Sequence, residues 1–357
     1  MFLDFLKLVA AVVFGLMLVV ILTVAYLRWR IKRWVGELGD EIKKFGDQFA
    51  MMGGGMEPLE VELERTQSSP SPQYQSVIEG WTSDVESLGF ERVGDFHMQP
   101  TAVWMRALTH PESGAAAVVY VMEPVGVFYD LVAKFENDDS VTVTDNQYAL
   151  VDFPPWSQVV RLDAGTDPSV AYSRLLDEVG SQPVQPYDPI NFRERFEAAY
   201  RKDMLWRAKR GDTPQEVRRV MNSPLTEAQG NNDLVQATME SRREMRAAQF
   251  EDFLRKQYLK QSQLSALEYE RIEERMVIVH ELTPSSTLLE LAEEAFWDDE
   301  ADEEQPIPDV VLKIAEEDDP LEAFRRIQEY FPSPNYFEHY DSVAGEITGD
   351  IYLRPAD

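Results

Sequence analysis

The chain has no cysteine in its 357 residues. That absence removes disulfides, thiolate zinc sites, iron–sulfur ligation and cysteine nucleophiles together. Histidine is scarce too, with four in all. His280 and Glu281 begin like the HExxH zinc helix, but Pro284 stands where the second imidazole belongs, and the segment MVIVHEL is β-like. His97, His110 and His339 are scattered among aromatic and turn residues and read as structural or surface groups. The GGG at 53–55 lacks the Lys-Ser/Thr that completes a phosphate loop, and there is no nucleophile elbow, dinucleotide fingerprint or kinase pattern.

Positive charge is also in short supply. A net charge of −30 has the wrong sign for a sequence-independent grip on nucleic acid, which needs clustered Lys and Arg to displace counterions. No nucleic acid is therefore expected, and with none of the motifs above present no cofactor or metal is expected either. The acidic runs WDDEADEE and AEEDDP lack the alternating ligands and central glycine of a calcium loop, so they read as a solvated loop and a helix-start cluster.

What the chain does have is one long uncharged run. Leu8–Leu27, LVAAVVFGLMLVVILTVAYL, reaches roughly 30 Å as a helix, enough for a hydrocarbon core. It is longer than the apolar region of a secretory signal, and its front carries Asp4 as well as Lys7, so a retained single-pass transmembrane helix is expected. Arg28, Arg30, Lys32 and Arg33 follow it, interleaved with Tyr26, Trp29 and Trp34. Flanking cations stay on the cytoplasmic side and aromatic rings settle at the lipid–water boundary. These seven residues form the expected membrane interface, with the N-terminus outside and the body cytoplasmic at the cell membrane. Residues 1–34 hold a surplus of +4 within the total of −30, which leaves −34 on the rest to keep it off anionic lipid.

Beyond residues 1–34, the segment 35–73 reads as a juxtamembrane amphipathic helix and a flexible linker, in which EVELE is a possible short edge strand. Residues 74–182 read as an α+β domain: a helix over 74–88, a meander of antiparallel strands, and a helix over 168–179 capped by Asp167. In VFYDLVAKF, Val127, Tyr129, Leu131 and Ala133 alternate with Asp130 and Lys134, the pattern of a sheet with one wet face. Residues 183–275 read as helical. They include a helix over 191–209, a capping box at Thr213–Glu216 and one long helix over 233–274. Residues 276–357 read as a small α+β unit in which DVVLKIA is a strand. The expected fold class is thus an α+β cytoplasmic body on a single N-terminal transmembrane helix.

No local motif carries chemistry, so enzymatic activity is not the leading expectation. The leading reading is a membrane-anchored interaction or scaffold protein whose partners are the bilayer and another protein. The alternative is a small-ligand sensor in which Trp104, Tyr120, Tyr129 and Trp156 line a pocket of the 74–182 domain. A tethered hydrolase would need two acids that meet only in the fold, and sequence spacing alone does not select them.

Overall fold

A computed structural model describes residues 57–122, 125–147, 151–221, 232–296, 306–317, 319–333 and 336–355. Seven strands lie side by side in chain order: β1 (Glu62–Arg65), β2 (Glu91–Gln99), β3 (Val103–Thr109), β4 (Ala116–Met122), β5 (Gly126–Lys134), β6 (Ser140–Thr144) and β7 (Ser157–Arg161). Each pair from β1 to β6 is antiparallel, and β7 runs parallel to β6. The EVELE segment supplies most of β1, one of the sheet's two edge strands.

The expected fold class is corrected here. The sheet is mixed and not a purely antiparallel meander, because residues 145–156 between β6 and β7 give the dozen or so residues that a parallel crossover requires. Among the described residues no helix is long and apolar enough to cross a membrane. The run Leu8–Leu27 and the interface residues Tyr26, Arg28, Trp29, Arg30, Lys32, Arg33 and Trp34 lie outside the described residues.

Both faces of the sheet are covered, which is why every residue of β3 is buried. Helices α1 (Pro72–Ser87) and α2 (Pro168–Val179) lie on one face. They bury Ile78, Val85, Ala171 and Leu175 against Leu108, Val119, Leu131 and Val143. Asp167 caps α2 by accepting from Ser169 N at 2.8 Å, which satisfies one of the helix's unpaired N–H donors. The other face is roofed by α3 (Phe192–Arg210), whose Phe192 packs on Phe96 and Tyr187.

Arg106 of β3 is buried in this arrangement. Its guanidinium donates to both carboxylate oxygens of Asp95 at 2.9 and 3.0 Å, to Glu79 at 3.0 Å and to Thr82 at 3.1 Å. The cation thereby ties β2 to α1 with most of its donors satisfied, the condition under which a buried charge is tolerated.

Past α3, the Thr213–Glu216 capping box forms as expected, at 2.8 and 3.2 Å, and starts α4 (Pro214–Met221). The long helix expected over 233–274 is instead two, α5 (Asn232–Gln261) and α6 (Ala266–Glu273). Ser265 and Glu268 form a second capping box at the join, and this local bonding competes with continuing the helix. The remaining elements are β8 (Met276–His280), α7 (Ser285–Phe296), α8 (Asp309–Ala315), α9 (Pro320–Gln328), β9 (Glu338–Val343) and β10 (Gly349–Leu353). Strands β8, β10 and β9 form a small antiparallel sheet in that order. Its two faces pack on α7–α9 and on α5 respectively. DVVLKIA is helix α8 and not a strand: Val311, Ile314 and Ala315 are buried at helical spacing, so packing overrides the β-propensity of its paired valines.

Candidate functional site

The stripe of α3 that faces the sheet carries Phe196, Tyr200, Asp203 and Arg207, at spacings of four, three and four, so one side of the helix presents rings and charges together. Opposite them on β5, Asp130, Val132 and Lys134 point the same way because alternate residues share a face. A cavity of about 320 Å³ is left between the two layers, with Phe153 and Trp156 also among its lining residues. Its volume is at the small end of the range for small-molecule sites.

The connector after α2 fixes one wall. Tyr187 N donates to Gly114 O at 2.9 Å and Gln185 N to Lys134 O at 2.7 Å, which seats the Tyr187 ring against the cavity. Gly114 is required at this contact. Its φ is +69°, and a Cβ there would stand 2.8 Å from the Pro186 Cα.

Four carboxylates line the cavity, Glu57, Asp130, Asp138 and Asp203, and of these Asp130 and Asp203 are in no ion pair among the described residues. Asp130 is half-buried and lines the cavity. Burial pushes its carboxyl up to about 6; bonds from Thr144 and Tyr120 oppose that rise, and the Asp145 charge adds to it. The Tyr120 hydroxyl is pushed well up in turn, by burial first and then by Asp130. Asp203 is also raised by burial, against a hydrogen bond from Trp156 Nε1 at 2.8 Å and the nearby charges of Arg207 and Lys202. Neither carboxylate is among the causes of the other's shift, so the two do not behave as a dyad sharing one proton.

The cations at the cavity are already engaged. Lys134 pairs with Asp138 at 2.9 Å, Arg207 with Glu57 at 2.7 Å, and Lys202 Nζ sits 4.7 Å from the centre of the Trp156 ring. Arg207 Nε is buried with no hydrogen-bond partner among the described residues.

Of the four aromatic residues expected to line a pocket, the structure brings Tyr120 and Trp156 to this cavity. Trp104 and Tyr129 lie on the opposite face of the sheet, in the core under α1 and α2. Trp104 Nε1 donates to Ser68 O at 3.1 Å, and the Tyr129 hydroxyl donates to Thr166 O at 2.7 Å, with the Trp81 ring edge-on. Asp130, Asp203, Phe196 and Tyr200 were missed by sequence reasoning. The helical stripe Phe192, Phe196, Tyr200, Asp203 was the signal for three of them.

Other polar clusters do not form a reactive site. His339, Ser342 and Asp350 meet near β9 and β10, but Ser342 Oγ donates to Asp350 at 2.7 Å, and His339 Nε2 faces both the hydroxyl at 3.2 Å and the carboxylate at 3.8 Å. In a catalytic triad the acid instead orients the far ring nitrogen of the histidine. Asp350 is held by Arg325 at 2.6 Å. His280 is buried, with Nδ1 accepting from Leu282 N at 3.2 Å and Nε2 at 3.1 Å from Ala247 O. Those partners require the neutral tautomer with its proton on Nε2, and burial pulls its pKa down to about 4. Among the described residues no group of three or more His, Asp or Glu side chains is placed to hold a metal ion. Of the acidic runs, Asp319 caps α9 by accepting from Leu321 N at 3.1 Å, and residues 297–304 lie outside the described residues.

No family model, no curated protein and no solved structure matches this chain.

Proposed function

We propose that the body of this protein binds a small organic molecule in the cavity between the sheet and α3. The observation that carries this reading is Asp130, a half-buried carboxylate lining an aromatic-walled cavity without an ion-pair partner among the described residues. Burying a charge this way is unfavourable for folding alone, and perturbed carboxylates in concave sites concentrate where ligands bind. The test is a thermal-shift panel of metabolites on the full-length chain. A ligand of the folded state stabilises it by mass action, by about 2.7 kcal/mol at a hundred times its Kd. A broad panel without a single saturable stabiliser would remove the reading.

For the chain as a whole we further propose a place at the cell membrane with the body cytoplasmic, and another protein among its partners. The support is the cation and aromatic cluster over Tyr26–Trp34, set against an acidic remainder. A reporter fused after Asp357 should be active in the cytoplasm, and activity confined to the outside would contradict the orientation. Affinity capture from native membranes tests the protein partner, and repeated failure to recover a specific one would count against it.

A further inference from the structure

We propose that the ligand of this cavity is a small organic cation, a protonated amine on an apolar or aromatic body, held by the Asp130 carboxylate with Asp203 as the second anion. The proposal rests on the ligand-binding reading above and assigns its chemical class.

Charge accounting within the cavity points to a cation. From β5 itself comes Lys134, bound to Asp138; from α3 come Lys202, stacked on Trp156, and Arg207, bound to Glu57. Each of these positive groups already has a partner, and Arg207 and Lys202 also act on Asp203, while no cation acts on Asp130, which has only hydrogen bonds from the neutral Tyr120 and Thr144. Asp145, the remaining charge acting on Asp130, is negative. The empty role is therefore that of a cation. The walls suit the rest of such a molecule: Phe196 and Tyr200 of α3 offer ring faces, and an ammonium gains from an aromatic surface as well as from a carboxylate.

The carboxylate of Asp130 must be ionised to hold an amine. With its pKa at about 6, protons compete with the ligand. Among the other titratable groups at the cavity, Glu57, Lys134, Asp138, Lys202 and Arg207 are the charged ones described above, Asp203 is raised by burial like Asp130, and burial also raises the tyrosines Tyr120 on β4, Tyr187 in the connector and Tyr200 on α3. The three tyrosines stay neutral across the range in question. Affinity is expected to fall about tenfold from pH 7 to pH 5, from the ionised fraction alone.

The experiment titrates full-length protein with three probes of one shape, 2-phenylethylammonium, 2-phenylethanol and 3-phenylpropanoate, followed by tryptophan fluorescence and calorimetry. The expected result is saturable binding of the ammonium, at least tenfold weaker binding of the alcohol and the carboxylate, and the stated fall with pH. Asp130→Asn should weaken the ammonium by about 30-fold or more, as loss of a buried charge partner does. Tyr120→Phe keeps the charge but removes a donor to it, so the pH midpoint should move upward; this variant serves if Asp130→Asn fails to fold. Equal binding of ammonium and alcohol overturns the inference, and so does tighter binding of the carboxylate, which the unpaired Arg207 Nε would then explain. If a neutral metabolite from the panel stabilises the protein while the ammonium does not bind, the cation assignment falls and the binding site stands. If nothing in either set binds, both fall.

Discussion

Replacing Asp130 by Asn should stabilise the fold increasingly as pH rises. The carboxyl titrates at about 6 in the folded protein and at 3.8 when unperturbed. A carboxyl raised on folding is best tolerated below the unfolded value, and its unfavourable contribution grows as pH climbs through the folded value. Two pKa units correspond to about 3 kcal/mol fully expressed by pH 8, of which roughly half is already present at pH 5. Asparagine has nearly the same shape and no charge, so the variant's stability relative to wild type should rise by about 1.4 kcal/mol between pH 5 and pH 8. Titration of His280 is common to both proteins and cancels. Urea denaturation of each protein at the two pH values, followed by tryptophan fluorescence, gives the difference directly. A difference that stays flat with pH, or that favours wild type more strongly at pH 8, would refute the claim that Asp130 is held as a desolvated carboxylate. A residue that weakens the fold at working pH and faces a cavity is the trade expected of a binding site.

Three other perturbations test the frame around the cavity. Arg106→Met should cost about 3 kcal/mol or more in urea denaturation, since Asp95 and Thr82 lose their buried partner; a loss under 1 kcal/mol would show the cluster to be loosely held. Gly114→Ala should destabilise by about 1 kcal/mol for its positive φ alone, with further loss from the Pro186 contact and weakened ligand binding as Tyr187 shifts; unchanged stability would contradict the close approach. His280 is neutral in the fold, titrating at about 4 against an ordinary 6.5, so wild type should lose about 3 kcal/mol as pH falls from 6.5 to 4. A His280→Gln variant should lack that component, and an identical pH profile in the two proteins would reject it.

Much of the sheet was legible because strand alternation is a local signal. In VFYDLVAKF the odd positions Tyr129, Leu131 and Ala133 do form one buried face. The even positions were correctly separated, and Asp130 and Lys134 stay partly exposed, but what the alternation did not show is that their face lines a cavity roofed by α3. Nothing in β5 reports the roof, since that depends on how a helix some sixty residues later packs. Register explains why the four aromatic residues divide. Trp104 lies opposite Val121 and Tyr129 opposite Val119, both on the α1 side, whereas Tyr120 lies opposite Phe128, one residue out of phase. Helix starts were readable where capping chemistry is explicit, at Asp167 and Thr213, and the same chemistry at Ser265 was the overlooked break in the long helix. The parallel strand β7 was missed because its pairing depends on a crossover and leaves no hairpin signal.

The most direct test of the account compares ligand-induced stabilisation of wild type with that of Ala199→Trp, which places an indole from α3 into the cavity. The variant should fold, and a ligand that raises the stability of wild type by about 2.7 kcal/mol at a hundred times its Kd should raise that of Ala199→Trp by almost nothing. Equal stabilisation of both proteins would place the ligand elsewhere and contradict the assignment of this cavity as the binding site.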